Sequence, residues 1–207
     1  MRDTMNDTAL LLLDLQRDFL EASGRMPVSP GNADWVISSA NRLVMHAERA
    51  GWKQIFIKNE FLKSDWIGNL FRKSAAIEGS VGAEIDPRVA LPARSSVISK
   101  SKLDAFTNPA LGEELKSAGI RRIVILGVMA EGCVFATVKG ARSRGFSVIV
   151  VSDGVASSRD FLKRFGLKII QKTGASVREC SEILQHDTYT PAADGFHSAS
   201  RRKSESR

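Results

Sequence analysis

The sequence predicts an α/β fold, a three-layer α-β-α sandwich with a six-stranded, mainly parallel sheet. Short runs of Leu, Ile and Val alternate along the chain with segments of helical periodicity, which is the pattern of βαβ units. These runs are apolar at successive positions, as expected of strands that are buried on both faces. Right-handed crossovers make the strand order 3-2-1-4-5-6 available to such a chain.

The first part of the chain supplies two strands and a long helix. The first strand, 9–14, is apolar at every position before Asp14. A loop with two prolines, 25–32, leads to a helix at about 34–50, whose apolar residues fall on one face. The second strand is predicted at 54–58.

Residues 59–95 are the least regular part of the sequence. An insertion of this size in a compact domain is often functional, and loops over α/β sites commonly carry specificity. We therefore expect a lid over the site, although ordinary packing or a subunit contact would also explain the aromatic residues. The lid would supply apolar surface from Phe61, Trp66 and Phe71, with Lys63, Arg72 or Lys73 available for an anionic group.

The rest of the chain continues the alternation of strands and helices. The third strand ends at Lys100, and the fourth is predicted at 123–126. In the last long helix, about 158–172, we expect Phe161, Leu162, Phe165 and Ile169 to be buried. The remaining elements are a helix at about 108–118, a fifth strand at 147–152, a short strand near 175–177 and a terminal helix at about 180–186.

Length and composition indicate one globular domain. The 207 residues are enough for a core without disulfides or metals, and 43% of them are hydrophobic. We expect a disordered N-terminus at 1–8, the folded domain at 9–188 and a disordered basic tail at 189–207. No segment is apolar enough to span a bilayer, and the polar start does not resemble a signal peptide.

Charge and cysteine content indicate which classes of binding partner and which cellular compartment to expect. The net charge is +7, of which +3 comes from the last ten residues, and no basic stripe with interleaved aromatic residues is present. We expect a small-molecule substrate, with neither nucleic acid nor membrane as a partner. The two cysteines, Cys133 and Cys180, have no paired spacing, which fits a reduced, cytoplasmic compartment and not a zinc site. We also expect a homo-oligomer, a dimer or tetramer.

Cys133 lies where the fourth strand gives way to a helix. At such a position, unpaired backbone N–H groups and the helix dipole favour a thiolate over a thiol. The position therefore predicts a lowered pKa and a nucleophile. A small, buried, structural residue remains the alternative, since free cysteines are among the most buried residues.

The predicted topology brings distant residues together. In the order 3-2-1-4-5-6 the chain reverses direction between strands one and four, and ligands in open α/β sheets bind outside the carboxyl ends of the strands there. Asp14 ends strand one, Lys100 ends strand three and Cys133 follows strand four. These side chains are predicted to meet at one edge of the sheet.

Three motifs in this order resemble those of the isochorismatase-like cysteine hydrolases, in their amidohydrolase branch. Asp14 to Phe19 is similar to the family's DxQxxF, Lys100 to Phe106 to its K…xxAF, and Gly127 to Val134 to its GVxxxxCV. The match runs from about Thr8 to about Leu184. Three motifs in the right order are specific, whereas any one of them alone would be weak.

The resemblance implies a covalent hydrolase with a catalytic triad of Asp14, Lys100 and Cys133. It would cleave a C–N bond of a small amide, ureido or carbamoyl compound through a thioester, with Asp14 in place of the usual histidine as acid and base. It also implies a cis peptide bond between Val128 and Met129, and an oxyanion hole formed by the amides of Met129 and Cys133.

The resemblance also indicates whether a metal ion is bound and which residues contact the substrate. Some family members, the nicotinamidases in particular, bind a metal through Asp and His side chains after strand two. This chain has Asn59 and Glu60 there without a nearby histidine, so we expect no metal and no cofactor. The residues expected to contact substrate are Phe19, Phe61, Trp66 and Phe106.

Two other functions remain open on the same fold. A dinucleotide-binding or redox protein would carry a glycine-rich turn after strand one, and the stretch from Asp14 to Asp18 contains no glycine. A non-catalytic interaction module would use the basic tail as its contact. Fold alone does not separate these alternatives, whereas the site does.

Overall fold

The computed structural model describes residues 7–186, and there the sheet has the strand order β3-β2-β1-β4-β5-β6 that the sequence predicts. Every neighbouring pair within this sheet runs parallel. The strands are β1 (Thr8–Leu13), β2 (Lys53–Asn59), β3 (Ser96–Lys100), β4 (Arg122–Val128), β5 (Ser147–Ala156) and β6 (Ser176–Arg178).

Helices connect the strands and cover both faces of the sheet. Within residues 7–186, no helix is long and apolar enough to cross a membrane. The helices are α1 (Arg17–Leu20), α2 (Asn32–Ala50), α3 (Trp66–Phe71), α4 (Pro109–Ser117), α5 (Phe135–Ser143), α6 (Asp160–Gln171) and α7 (Cys180–His186), with a π-helical turn at Ala130–Val134.

Alternate residues of β1 face opposite helical layers. Leu10 and Leu12 belong to a buried cluster that includes the inner face of α2 and residues of α7. Leu11 and Leu13 belong to a second cluster with residues of α4, α5 and α6. Burying a leucine side chain stabilises a fold by about 1.5–3 kcal/mol, so this strand holds the predicted three layers together.

The start of the domain differs from the predicted boundary. Thr8 was predicted to be disordered, but it is buried and begins β1, paired in register with Arg122 of β4. The carbonyl of Asp7 accepts hydrogen bonds from the amides of Arg121 and Arg122. The rest of the predicted N-terminal disorder and the whole basic tail lie outside the described residues.

The buried face of α6 also differs from the prediction. Phe161 and Phe165 are 53% and 55% exposed, and the helix instead buries Gly166 and Ile170. A Cβ at Gly166 would lie 2.6 Å from the backbone nitrogen of Glu131. The close approach of two backbones, and not the size of the apolar side chains, therefore determines which face of α6 packs.

Candidate active site

The carboxyl edge of the sheet gathers the three side chains that the motifs single out. The Nζ atom of Lys100 lies 2.9 Å from Oδ2 of Asp14 and 3.3 Å from Sγ of Cys133. The Lys100 and Asp14 side chains are 0% and 1% exposed. A buried ion pair is therefore in contact with the buried thiol.

Asn59 completes this cluster as a fourth member. Its Nδ2 donates to Sγ of Cys133 at 3.5 Å, and its Oδ1 accepts from Nζ of Lys100 at 2.8 Å. The sequence interpretation noted Asn59 only as a departure from a metal-binding pattern. The signal was present in the predicted strand order, because the last residue of β2 lies beside the last residue of β3.

Gln16 holds the backbone of Asn59 in place. Its Nε2 donates to the carbonyl oxygens of Asn59 and Ala83, both at 2.7 Å, and its Oε1 accepts from the amide of Asn59 at 2.8 Å. The glutamine of the DxQxxF motif is thus buried and contacts Asn59 through both ends of its amide. It positions the side chain that contacts the thiol.

The backbone at the end of β1 is unusual for a non-glycine residue. Asp14 has a φ of 57°, in the left-handed region that aspartate tolerates better than most residues, and its amide donates to the carbonyl of Ile57 at 2.8 Å. Beside it, a Cβ at Gly127 would lie 2.0 Å from the carbonyl oxygen of Leu13. Only glycine lets β4 approach β1 this closely where Asp14 leaves the sheet.

The segment that carries Cys133 is not the first turn of a regular helix. Cys133 lies in the π-helical turn, where Gly132 has non-helical angles (φ −106°, ψ −105°), and α5 begins two residues later at Phe135. The Val128–Met129 peptide bond is cis, at the position that the resemblance implies. The Ser157 hydroxyl ties the turn to the end of β5, because it accepts from the amide of Ala130 and donates to Glu131.

The expectation of a lowered thiol pKa is wrong. Burial, together with the negative charge of Asp14, raises the pKa of Cys133 to about 12 and outweighs the attraction of Lys100. A helix dipole acts weakly at an interrupted helix start, and the cost of burying a thiolate raises the thiol pKa. In the free protein this raised pKa favours the protonated thiol over the thiolate.

The carboxylate of the neighbouring ion pair is a candidate acceptor for the thiol proton. Burial raises the pKa of Asp14 above its ordinary value, against the attraction of Lys100. For Lys100, burial favours the neutral amine, but Asp14 and Cys133 outweigh it and the pKa is raised. Oδ1 of Asp14 is buried and has no hydrogen-bond partner among the described residues. An unused carboxylate oxygen thus lies in the same cluster as a protonated thiol.

The cluster opens into a small, mostly apolar cavity of about 190 Å³. A larger depression of about 590 Å³ beside α5 is not lined by Asp14, Lys100 or Cys133. The smaller cavity is therefore the candidate substrate-binding site. The residues that line the smaller cavity are Asp14, Phe19, Met26, Asn59, Phe61, Arg72, Leu103, Val128, Met129, Glu131, Gly132 and Cys133.

Two of the four residues expected to contact substrate line this cavity. Phe19 and Phe61 belong to its wall, as does Met129 of the expected oxyanion hole. Trp66 lies on the surface, 72% exposed, because α3 presents it to solvent. Phe106 is buried outside the cavity, where it stacks on Phe146 at 6.0 Å between ring centroids. The expectation for these last two residues is wrong in this structure.

The expected lid is only partly realised. Phe61 and Arg72 bring residues 60–95 to the cavity, whereas Phe71 is 83% exposed. Sequence reasoning missed Met26, Leu103 and Glu131 as lining residues. Met26 lies outside the motifs, and the other two occupy motif positions at which no residue type is specified. Their positions depend on how loops pack over the sheet edge.

The side chains after β2 do not fit a metal ion. Both carboxylate oxygens of Glu60 already accept hydrogen bonds. Oε1 accepts from Nζ of Lys58 at 2.8 Å, and Oε2 accepts from the hydroxyl of Ser99. Over residues 7–186, His, Cys, Asp and Glu nowhere gather in groups of three or more that could hold a metal. Asn59, the other candidate, contacts the lysine and the thiol instead.

Relatives of this chain include amide hydrolases. A probable inactive nicotinamidase of Arabidopsis thaliana is 27% identical over 168 residues, which cover 76% of this chain and 85% of the relative. N-carbamoylsarcosine amidase of an Arthrobacter species is 22% identical over 191 residues, with coverages of 87% and 71%. A solved pyrazinamidase of Pyrococcus horikoshii, in complex with zinc, matches with a TM-score of 0.75 and 26% identity over 84% of this chain and 99% of that one.

The family assignment rests on most of the described chain. The sequence profile of the isochorismatase domain matches residues 8–182, which extend from the first residue of β1 into α7. The matched range contains Asp14, Lys100 and Cys133. The chain belongs to the isochorismatase family of hydrolases.

Proposed function

We propose that this protein is a cysteine-dependent amidohydrolase that cleaves a C–N bond of a small amide, ureido or carbamoyl compound. The observation that carries the proposal is the buried Asp14–Lys100–Cys133 cluster, with a partnerless carboxylate oxygen, at the wall of a 190 Å³ cavity. The names of two relatives, N-carbamoylsarcosine amidase and pyrazinamidase, support amide-type substrates.

The first half-reaction begins with the thiol still protonated. As Sγ of Cys133 attacks the substrate carbonyl carbon, its proton passes to Oδ1 of Asp14 and the carbonyl π electrons move to oxygen. The ammonium of Lys100, 3.3 Å from Sγ, stabilises negative charge on sulfur during the attack. The amides of Met129 and Cys133 would hold the oxyanion, each donor contributing on the order of 10²–10³ in rate.

Collapse of the tetrahedral intermediate releases the amine. The C–N bond breaks as Asp14 returns its proton to the leaving nitrogen, which leaves an acyl thioester on Cys133. In the second half-reaction Asp14 takes a proton from water, and the resulting hydroxide attacks the thioester. The C–S bond then breaks, the acid product leaves, and the Asp14 proton restores the thiol.

A catalytically silent protein is the second candidate. The similarity to a relative named as a probable inactive nicotinamidase favours it. The intact Asp14, Lys100 and Cys133 cluster argues for activity instead.

The test is a screen of small amides, ureido acids and carbamoyl compounds for release of ammonia or amine, with Cys133→Ala protein run in parallel. We expect at least one compound to be hydrolysed by the wild-type protein and not by the variant. Absence of Cys133-dependent hydrolysis across the panel would support the silent alternative.

The fall of kcat/KM at acid pH should reflect protonation of the Asp14 carboxylate. Because burial raises its pKa above the ordinary 3.8, the carboxylate becomes protonated, and unable to act as a base, at a pH above that value. We therefore expect kcat/KM to fall with decreasing pH, with an apparent pKa higher than 3.8. The measurement is a kcat/KM profile with a substrate that does not titrate in this range, and a limb at or below 3.8 would contradict the assignment.

Activity should survive removal of metal ions. At the end of β2, the Asn59 amide is hydrogen-bonded to Lys100, and the Glu60 carboxylate that follows is hydrogen-bonded to Lys58 and Ser99. Neither side chain is free to bind a metal ion there. We expect full activity after exhaustive dialysis against a chelator, with metal content measured in the same sample. One zinc or iron per chain, with activity lost when it is removed, would refute this expectation.

A further inference from the structure

Arg72 is a cationic side chain in the wall of the candidate active site. It follows α3 directly, and its guanidinium carbon lies 3.9 Å from the ring centroid of Phe61, which lines the same cavity. Stacking on an aromatic ring restrains a guanidinium in one plane and keeps its edges available for hydrogen bonding. The plane is therefore already oriented before a ligand binds.

Part of this guanidinium lacks a protein partner. Nη2 donates to Asp65 at 2.5 Å and to Asn69 at 3.0 Å, whereas Nε is buried and has no hydrogen-bond partner among the described residues. Asp65 itself is at the surface, with half of its side chain exposed. A buried N–H without an acceptor is costly, so a ligand oxygen placed there would gain a charge-assisted hydrogen bond.

The other charged side chains in or beside the cavity also have protein partners. Lys100 contacts Asp14, Asn59 and Cys133, and Glu131 accepts a hydrogen bond from the hydroxyl of Ser157. The other two basic residues considered for an anion, Lys63 and Lys73, are exposed and do not line the cavity.

We propose that Arg72 forms a carboxylate subsite, so that the site prefers small amides that carry a carboxylate remote from the scissile bond. The inference rests on the proposed amidohydrolase function for its catalytic meaning. The subsite itself concerns binding in the cavity, which can be measured without turnover. The scissile carbonyl would lie at Cys133 and the carboxylate at Arg72, two residues that line one cavity of about 190 Å³.

The test compares succinamate, which has one amide and one carboxylate, with the neutral succinamide. We expect wild-type protein to favour succinamate in kcat/KM by about 10–100-fold, the scale of a hydrogen bond to a charged group. Arg72→Gln should abolish that preference, and Arg72→Lys, which keeps the charge but not the planar fork, should retain part of it. Lys63→Gln, with the same change of charge outside the cavity, should behave as wild type.

A second measurement does not depend on hydrolysis. Each compound is tested for protection of Cys133 against iodoacetamide, and thermal unfolding verifies that every variant is folded. We expect succinamate to protect wild-type protein at roughly 10–100-fold lower concentration than succinamide, and Arg72→Gln to remove the difference. Arg72-dependent protection, together with no ammonia or amine release from any compound of the amide screen, would refute the hydrolase function and support the subsite. Equal protection by the two compounds, or a preference that Arg72→Gln leaves unchanged, would overturn the subsite.

Discussion

Cys133→Ala protein is expected to lose hydrolytic activity by a factor on the order of 10⁶ in kcat, the scale seen when the nucleophile of a hydrolase triad is removed. Within the described residues, Cys133 is the only thiol in the cavity. The other cysteine, Cys180, is fully buried at the start of α7, near the carbonyl of Ser39 in α2. No other described side chain there combines a nucleophilic sulfur with an adjacent ion pair. The measurement is kcat for the best compound of the amide screen.

The matched control for this variant is Cys180→Ala, which removes the second buried thiol and leaves the cavity untouched. It should keep wild-type kcat even if its melting temperature falls, because the loss of packing around Ser39 does not reach the sheet edge. Intact-mass measurement of wild-type protein during turnover should reveal an acyl adduct on Cys133. Appreciable hydrolysis by folded Cys133→Ala protein would end the covalent mechanism.

The gathering of Asp14, Lys100 and Cys133 could be predicted because it follows from topology. Parallel strands present their carboxyl ends at one edge, and the order 3-2-1-4-5-6 places the ends of β1, β3 and β4 near the switch point. The same reasoning extends to Asn59 at the end of β2. It was missed because Asn59 was considered only as a departure from the metal-binding pattern of some relatives.

The properties that depend on tertiary packing could not be predicted from motifs. Phe106 belongs to a motif and Trp66 to the expected lid, yet Trp66 is exposed on α3 and Phe106 packs on Phe146. The packed face of α6 depends on a backbone approach at Gly166 that no apolar periodicity reveals. Arg72 reaches the cavity through the path of residues 60–95, a segment with little regular structure.

The pKa of the Cys133 thiol shows that burial can outweigh an effect predicted from local sequence. The sequence places Cys133 near a helix start, which favours a thiolate. The folded protein buries the thiol beside a carboxylate, and the pKa rises to about 12. In the proposed mechanism, Asp14 therefore has to remove the thiol proton during the attack. A preformed thiolate would not need this step.

Asp14→Asn should separate thiol reactivity from turnover. The amide keeps the shape of the side chain but cannot accept the thiol proton or return it to the leaving amine, so we expect kcat to fall by about 10²–10⁴, the usual contribution of a positioned acid–base group. The negative charge of Asp14 raises the pKa of Cys133, whereas Lys100 lowers it. Removing the carboxylate should therefore lower the thiol pKa and accelerate alkylation at neutral pH.

Opposite changes in two rates from one variant distinguish a chemical role from a folding defect. Iodoacetamide alkylation of Cys133, followed by peptide mass analysis between pH 6 and 10, provides the first rate, and amide hydrolysis provides the second. Asp153→Asn is the matched control, because that carboxylate contacts Ser39 and the amide of Cys180 outside the cavity. It should leave both rates near wild type. If Asp14→Asn slowed alkylation along with hydrolysis, or left hydrolysis unchanged, Asp14 would not be the base that this geometry requires.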